Sequence, residues 1–189
     1  TLSSQVTVAS SKSSKITLEG MGFDVVIACQ EDRDRIANET DFKVSNQKIF
    51  KVVNEATEKD YDKSIGGSKL LYHGSRNENW ISILMNGLKI RPNGVHLSGS
   101  MFGNGIYGAN KAAKSIGYTS LEGSYWGSGS EKKAYLAIFE FALGKQWNVF
   151  ANGKRWDYDM QRIDLKKVKA NGYNSVFAKG GADLRTDEF

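Results

Sequence analysis

The sequence predicts an α+β fold with a mostly antiparallel, β-rich core. Three observations carry this expectation: several short runs with strand character, two short segments with helical spacing, and long connections rich in Gly, Ser and Asn. From the N-terminus, "FDVVIAC", ending at Cys29, reads as a strand and "QEDRDRIANET" as a short charged helix. "KIFKVV", ending at Val53, alternates as a second strand does, and "KLLYHG", ending at Gly74, is a third. In "NENWISILMNGLKI", Trp80, Ile83, Leu84 and Leu88 recur at helical spacing and Gly87 is placed to stop the helix. Lys89 to Gly103 holds the only proline, Pro92, and reads as a loop, followed by a short helix in "ANKAAKSIG". "EGSYWGSGSEKK" is a second loop. The almost unbroken apolar run "AYLAIFEFAL" is expected to be a central strand buried on both faces. The segment "GKQWNVFANGKRWDYDMQRIDLKKVKANG" yields no element, and its basic stretches read as solvated loop; "NSVFAK" closes the pattern as a compact strand.

A chain of 189 residues suits one domain with a full core. The polar lead "TLSSQVTVASSKSSK", residues 1–15, reads as a linker or edge before a domain over residues 16–189. No apolar run approaches the roughly 20 residues that span a bilayer, so no membrane partner is expected. Cys29 is the only cysteine, which excludes a disulfide framework and points to a reducing, intracellular setting. With only His73 and His96 besides, no metal site is expected. A net charge of +5 and a pI near 9.2 favour polyanionic partners, whether a nucleic acid or a nucleotide phosphate.

"GNGIYG", Gly103 to Gly108, spells the G-x-G-x-x-G dinucleotide fingerprint, and Glu122 lies 19 positions beyond Gly103. The context fails. A Rossmann site needs a buried strand before the first glycine and a helix opening within the motif, whereas "GVHLSGSMF" precedes it and Glu122 sits in a Gly/Ser loop. A kinase glycine loop fails too, because no lysine-bearing strand or H-R-D follows.

Four ordered blocks around this motif are more specific: "YHGSR", "ILMNGL", "MFGNGIY" and "KSIGY". With "FKVSNQKIFKVV" upstream and "FEFALGK", "NGYNSVFAKGG" and the terminal "DEF" downstream, residues 42 to 189 resemble the catalytic domain of the poly(ADP-ribose) polymerase (PARP) family of diphtheria-toxin-like ADP-ribosyltransferases. The resemblance implies two mostly antiparallel sheets around a cleft that takes NAD+ as a consumed substrate, with no permanently bound cofactor. It implies an H-Y-E triad of His73, Tyr107 and Glu188. His73 would bond a ribose hydroxyl and orient NAD+, while Glu188 would bond the nicotinamide ribose 2′-hydroxyl and polarise the acceptor. Gly74 would offer backbone groups to the nicotinamide amide, Ser115 a hydroxyl to the same group, and Tyr107 and Tyr118 the two walls of the ring. Ser75, Asn79, Lys89 and Gly99 fall at positions expected to line the adenosine side, and Lys114 near the acceptor. Such a triad is the combination that in this family permits chain elongation. The implied partners are NAD+ and a protein acceptor, with a nucleic-acid acceptor as a second option, and the chain is expected to be monomeric, nuclear in a eukaryote and cytoplasmic otherwise.

Two departures accompany the match. The family's glutamate begins a strand, whereas the sequence stops at Phe189, as though the final strand were missing. Residues 1–41 are also too few for the helical regulatory bundle that precedes the domain in DNA-damage-regulated members. The missing strand keeps in view an inactive module that binds NAD+ or ADP-ribose, and charge alone suggests a third reading, a nucleic-acid module.

Overall fold

The computed structural model describes residues 19–43, 48–90, 100–149, 162–180 and 189. Over these residues the chain forms β1 (Asp24–Ile27), α1 (Gln30–Glu39), β2 (Phe50–Val53), α2 (Glu55–Glu58), β3 (Ser68–Gly74), α3 (Trp80–Asn86), α4 (Ala112–Ile116), β4 (Leu136–Ala142), β5 (Gln146–Asn148), α5 (Leu165–Ala170) and β6 (Ser175–Phe177). This mixture of short helices and mainly antiparallel strands is the expected α+β architecture. Among the described residues no helix is long and apolar enough to cross a membrane.

The strands pair in twos, β1 with β2, β3 with β4 and β5 with β6. The β3–β4 ladder is antiparallel and runs from Ser68 opposite Ala142 to Gly74 opposite Leu136. The free edge of β3 is extended by an irregular strip: Tyr72 and Ala109 exchange two backbone hydrogen bonds of 2.8 and 3.0 Å, and Gly108 exchanges two of 3.1 Å with Phe189. Neighbouring residues of an extended chain aim their N–H and C=O groups at opposite edges. Gly108 and Ala109 can therefore join β3 on one side to Phe189 on the other.

This arrangement corrects the reading of "AYLAIFEFAL". β4 is half-buried at six of its seven positions with Glu140 exposed, and among the described residues it pairs only with β3. The inner strand is β3, where Leu71 and Tyr72 are 1% and 0% exposed. An apolar run reports hydrophobicity and not position in a sheet, so it could not tell the inner strand from its neighbour.

β5 and β6 pair in parallel, which requires a crossover, and the described part of that connection contains α5. Asp164 caps α5 by accepting from the Lys167 backbone N–H at 2.8 Å. Val168 on α5 is buried with Phe102, Val149, Ile163 and Ala178, and Tyr107, Trp147, Tyr173 and Val176 pack against this cluster. "LKKVK" is thus a helix with a core residue, not a solvated loop. Six residues with one buried position give no readable period. In and after "MFGNGIY", residues 101–105 turn, and Ala109 makes a bridge to β3. Gly103 adopts φ +85°, and a Cβ there would strike the Ile163 carbonyl, on which the next residue, Asn104, is anchored by a 3.0 Å hydrogen bond.

The β1–β2 end is joined to α3 by Asn54, which is 5% exposed. Its side-chain oxygen accepts from the N–H groups of Ala56 and Thr57 to cap α2, and its amide donates to the carbonyls of Leu84 (2.7 Å) and Met85 (3.2 Å) in the last turn of α3. Asn54→Ala strips both helix ends of partners in a buried place and is expected to cost about 2–3 kcal/mol. Urea unfolding checks this: the midpoint should fall at unchanged m, and an unmoved midpoint would refute the role.

Candidate active site

His73 is the penultimate residue of β3, and its ring is fixed from two directions. Nδ1 lies 2.9 Å from the Tyr107 carbonyl oxygen, and Phe139 on β4 meets the ring edge-on at 6.2 Å and 75°. A carbonyl only accepts, so Nδ1 carries the proton and the neutral ring presents Nε2 as an acceptor. Burial lowers the His73 pKa from 6.5, opposed in part by the hydrogen bond to Tyr107. The ring therefore stays neutral at physiological pH and can accept a hydrogen bond from a sugar hydroxyl.

Beside it, Gly74 faces α4 at backbone distance: a Cβ at position 74 would collide with the Ser115 carbonyl oxygen. That carbonyl also accepts from the Tyr118 N–H at 3.1 Å. The Ser115 hydroxyl is buried and donates to the Tyr72 carbonyl at 3.1 Å, which leaves its lone pairs as acceptors. Two bonds and one close contact thus place α4, and with it Tyr118, against the end of β3.

Tyr107 is pinned by its hydroxyl, which donates to the Gly103 carbonyl (2.8 Å) and accepts from the Phe102 N–H (3.0 Å). Its ring rests on the cluster around Phe102 and Ile163. The 101–107 segment thus closes into a rigid turn whose last residue touches His73. The structure therefore brings His73, Gly74, Tyr107, Ser115 and Tyr118 together, as the sequence suggested.

Ser75 and Asn79 also meet, with the Asn79 amide donating to the Ser75 hydroxyl at 3.0 Å. Lys89 is exposed three residues beyond α3. Gly99 and Glu188 lie outside the described residues, as does His96. The residue after Glu188 is described: Phe189 is bonded to Gly108, next to Tyr107, and its ring tilts onto Phe177 at 4.9 Å.

The sequence reading missed Trp126. It stacks on Tyr118 with ring centroids 6.3 Å apart and planes 18° from parallel, while the neighbouring Tyr125 meets it edge-on at 4.5 Å. The available signal was the Tyr-Trp pair inside a Gly/Ser run, where composition gives no reason for large aromatics. Arg76 was missed as well; its guanidinium donates to the Gly127 carbonyl at 3.1 Å and ties this loop to the end of β3.

The model of the family described as the poly(ADP-ribose) polymerase catalytic domain matches residues 25–181, which contain every described element from α1 to β6. This chain belongs to that family. The PARP domain is similar to a putative poly(ADP-ribose) polymerase-like protein, 100L, of Invertebrate iridescent virus 6, with 32% identity over 147 residues, 75% of each chain. It is similar to poly(ADP-ribose) polymerase 2-A of Oryza sativa subsp. japonica, with 33% identity over 79% of this chain and 21% of that protein. The human poly(ADP-ribose) polymerase 2 is 32% identical over 56% of this chain and 17% of its own length. The chain thus spans about a fifth of the rice protein. As a PARP domain, it is an NAD+ ADP-ribosyltransferase with the α+β fold of that family.

Two outcomes follow from the geometry. Because the folded pKa of His73 is depressed, its contribution to stability is complete above pH 6.5 and is lost as pH falls from there through the folded value. An NMR titration of the His73 ring should give a midpoint below 6.5, with NAD+ affinity flat down to that pH and declining below it; a midpoint above 6.5 contradicts the burial argument. Gly74→Ala must push α4 off β3 and is expected to destabilise the fold by about 1–3 kcal/mol, read by thermal melting, and to weaken NAD+ binding in a titration.

Proposed function

We propose that NAD+ lies with its nicotinamide end between Tyr107 and Tyr118, and that the domain cleaves the nicotinamide–ribose bond and passes ADP-ribose to a protein acceptor. What best supports this placement is the His73 Nδ1 to Tyr107 carbonyl hydrogen bond, which makes the histidine and tyrosine of the family pattern one rigid unit. Glycosidic cleavage proceeds through an oxocarbenium-like state, so the catalyst must grip the leaving group, hold the sugar and stabilise positive charge on it. His73 Nε2 accepts from a ribose hydroxyl. Gly74 offers its backbone N–H and C=O to the carboxamide, and the Ser115 lone pairs accept from the carboxamide N–H. Two electron-rich rings attract the cationic pyridinium by about 0.5–2 kcal/mol, an attraction lost when neutral nicotinamide leaves.

Glu188 supplies the negative charge: it bonds the ribose 2′-hydroxyl, stabilises the developing cation and orients the acceptor. Ser75 and Asn79 hold the adenosine ribose, with Lys89 and Gly99 on the same side and Lys114 toward the acceptor. NAD+ is consumed, and the reading requires no resident cofactor or metal. The H-Y-E combination and the names of the relatives support elongation to poly(ADP-ribose). In this reading the enzyme acts as a monomer inside the cell, away from membranes, and in the nucleus of a eukaryotic source.

Incubation with NAD+ labelled in its adenylate portion should yield labelled protein together with free nicotinamide. Saturable NAD+ binding without nicotinamide release would sink the transferase mechanism. Glu188→Gln should lower transfer by about 100-fold or more while NAD+ affinity stays within about threefold. Equal loss of both would contradict its assignment.

A further inference from the structure

Trp126 is large, apolar and 56% exposed, yet its backbone is held by a hydrogen bond to Gly117. The Gly117 carbonyl accepts from both the Trp126 and Gly127 N–H groups at 2.8 Å. Gly127 lies so close to the Thr119 carbonyl that a Cβ could not be accommodated. The Ser124 hydroxyl donates to that same carbonyl at 2.7 Å and accepts from the Gly129 N–H at 3.0 Å. Glu122 and Glu131 close the loop through a 2.8 Å backbone bond, and Arg76 secures Gly127 from β3. Burial does not explain a rigidly held, half-exposed indole. Its described ring neighbours are Tyr118 on one side and Tyr125 at its edge.

We propose that Trp126 is a positioning residue for Tyr118, holding that ring in the plane in which it meets nicotinamide. α4 ends at Ile116, and Tyr118 follows it in a turn, its N–H donating back to the Ser115 carbonyl at 3.1 Å. The loop adds anchors on both sides of that residue. It bonds to Gly117, immediately before Tyr118, and to Thr119, immediately after it, and lays the indole against the phenol ring. Near-parallel rings at this separation attract each other and resist tilting. The indole acts through Tyr118 and need not touch NAD+.

This inference rests on Tyr118 being a wall of the nicotinamide site. The test measures steady-state nicotinamide release and inhibition by free nicotinamide for the full chain, Trp126→Ala, Trp126→Phe, Tyr118→Ala and the Tyr118→Ala/Trp126→Ala double variant. Trp126→Ala should raise KM for NAD+ and Ki for nicotinamide by about 3- to 10-fold with kcat within about twofold. Trp126→Phe, which keeps an aromatic face, should return both constants to within about twofold of the parent. In the Tyr118→Ala background, Trp126→Ala should add nothing. Should Trp126→Ala not fold, Trp126→Leu keeps the apolar bulk without the π face and carries the same expectation. If Tyr118→Ala weakens nicotinamide binding while Trp126→Ala and Trp126→Leu leave it unchanged, the positioning role is overturned and the site stands. A Trp126→Ala effect that persists in full without Tyr118, or that Trp126→Phe fails to repair, also overturns it. If Tyr118→Ala leaves Ki unchanged, the placement of nicotinamide itself falls, and this role with it.

Discussion

The bare Cα of Gly74 against the Ser115 carbonyl oxygen is the contact on which the site's geometry depends. It sets how near α4 can come to the end of β3. That distance in turn allows the Ser115 hydroxyl to reach the Tyr72 carbonyl and directs the Ser115 carbonyl to the Tyr118 N–H. One side chain at position 74, even a methyl group, would separate the strand carrying His73 from the helix preceding Tyr118. Glycine here is demanded by closeness and not by an unusual φ, since Gly74 lies outside the left-handed region.

The Tyr107 side of the site depends on a different device. Tyr107 spends its hydroxyl on its own turn and its carbonyl on His73, so the ring and the imidazole are oriented by one short segment. The two residues that follow are shared between sheet edges, Gly108 bonding Phe189 and Ala109 bonding Tyr72. Phe189 is thereby anchored next to Tyr107 by the same strip that carries it. Packing of Phe189 on Phe177, and Lys69 Nζ 5.2 Å over its ring, connects this strip to β6 and back to β3. A site assembled from β3, a turn, α4 and the strip around Phe189 is preorganised because each part is bonded to at least one other.

Much of this was legible in residue order. "YHGSR", "MFGNGIY" and "KSIGY" named His73, Gly74, Tyr107, Ser115 and Tyr118, and the structure gathers all five. α1, β2, β3, α3 and α4 were visible because alternation, helical spacing or a stopping glycine marks each of them. β5 and α5 were not, because three and six residues are too few to show a period. Trp126 was hidden for another reason: its partner, Tyr118, is eight residues away across a loop, and no local pattern signals a stack made by a folded-back chain.

The sequence by itself determined the family, the residues that gather around His73 and the α+β class, because these are written in residue identity and in short-range periodicity. Tertiary structure alone decided that β3 and not the more apolar β4 is the inner strand, that "GNGIYG" is a turn leading into a shared strip, and that an exposed tryptophan backs the second tyrosine. Each of these rests on which backbone edges and ring faces meet, and such meetings are long-range events that one-dimensional order does not encode position by position.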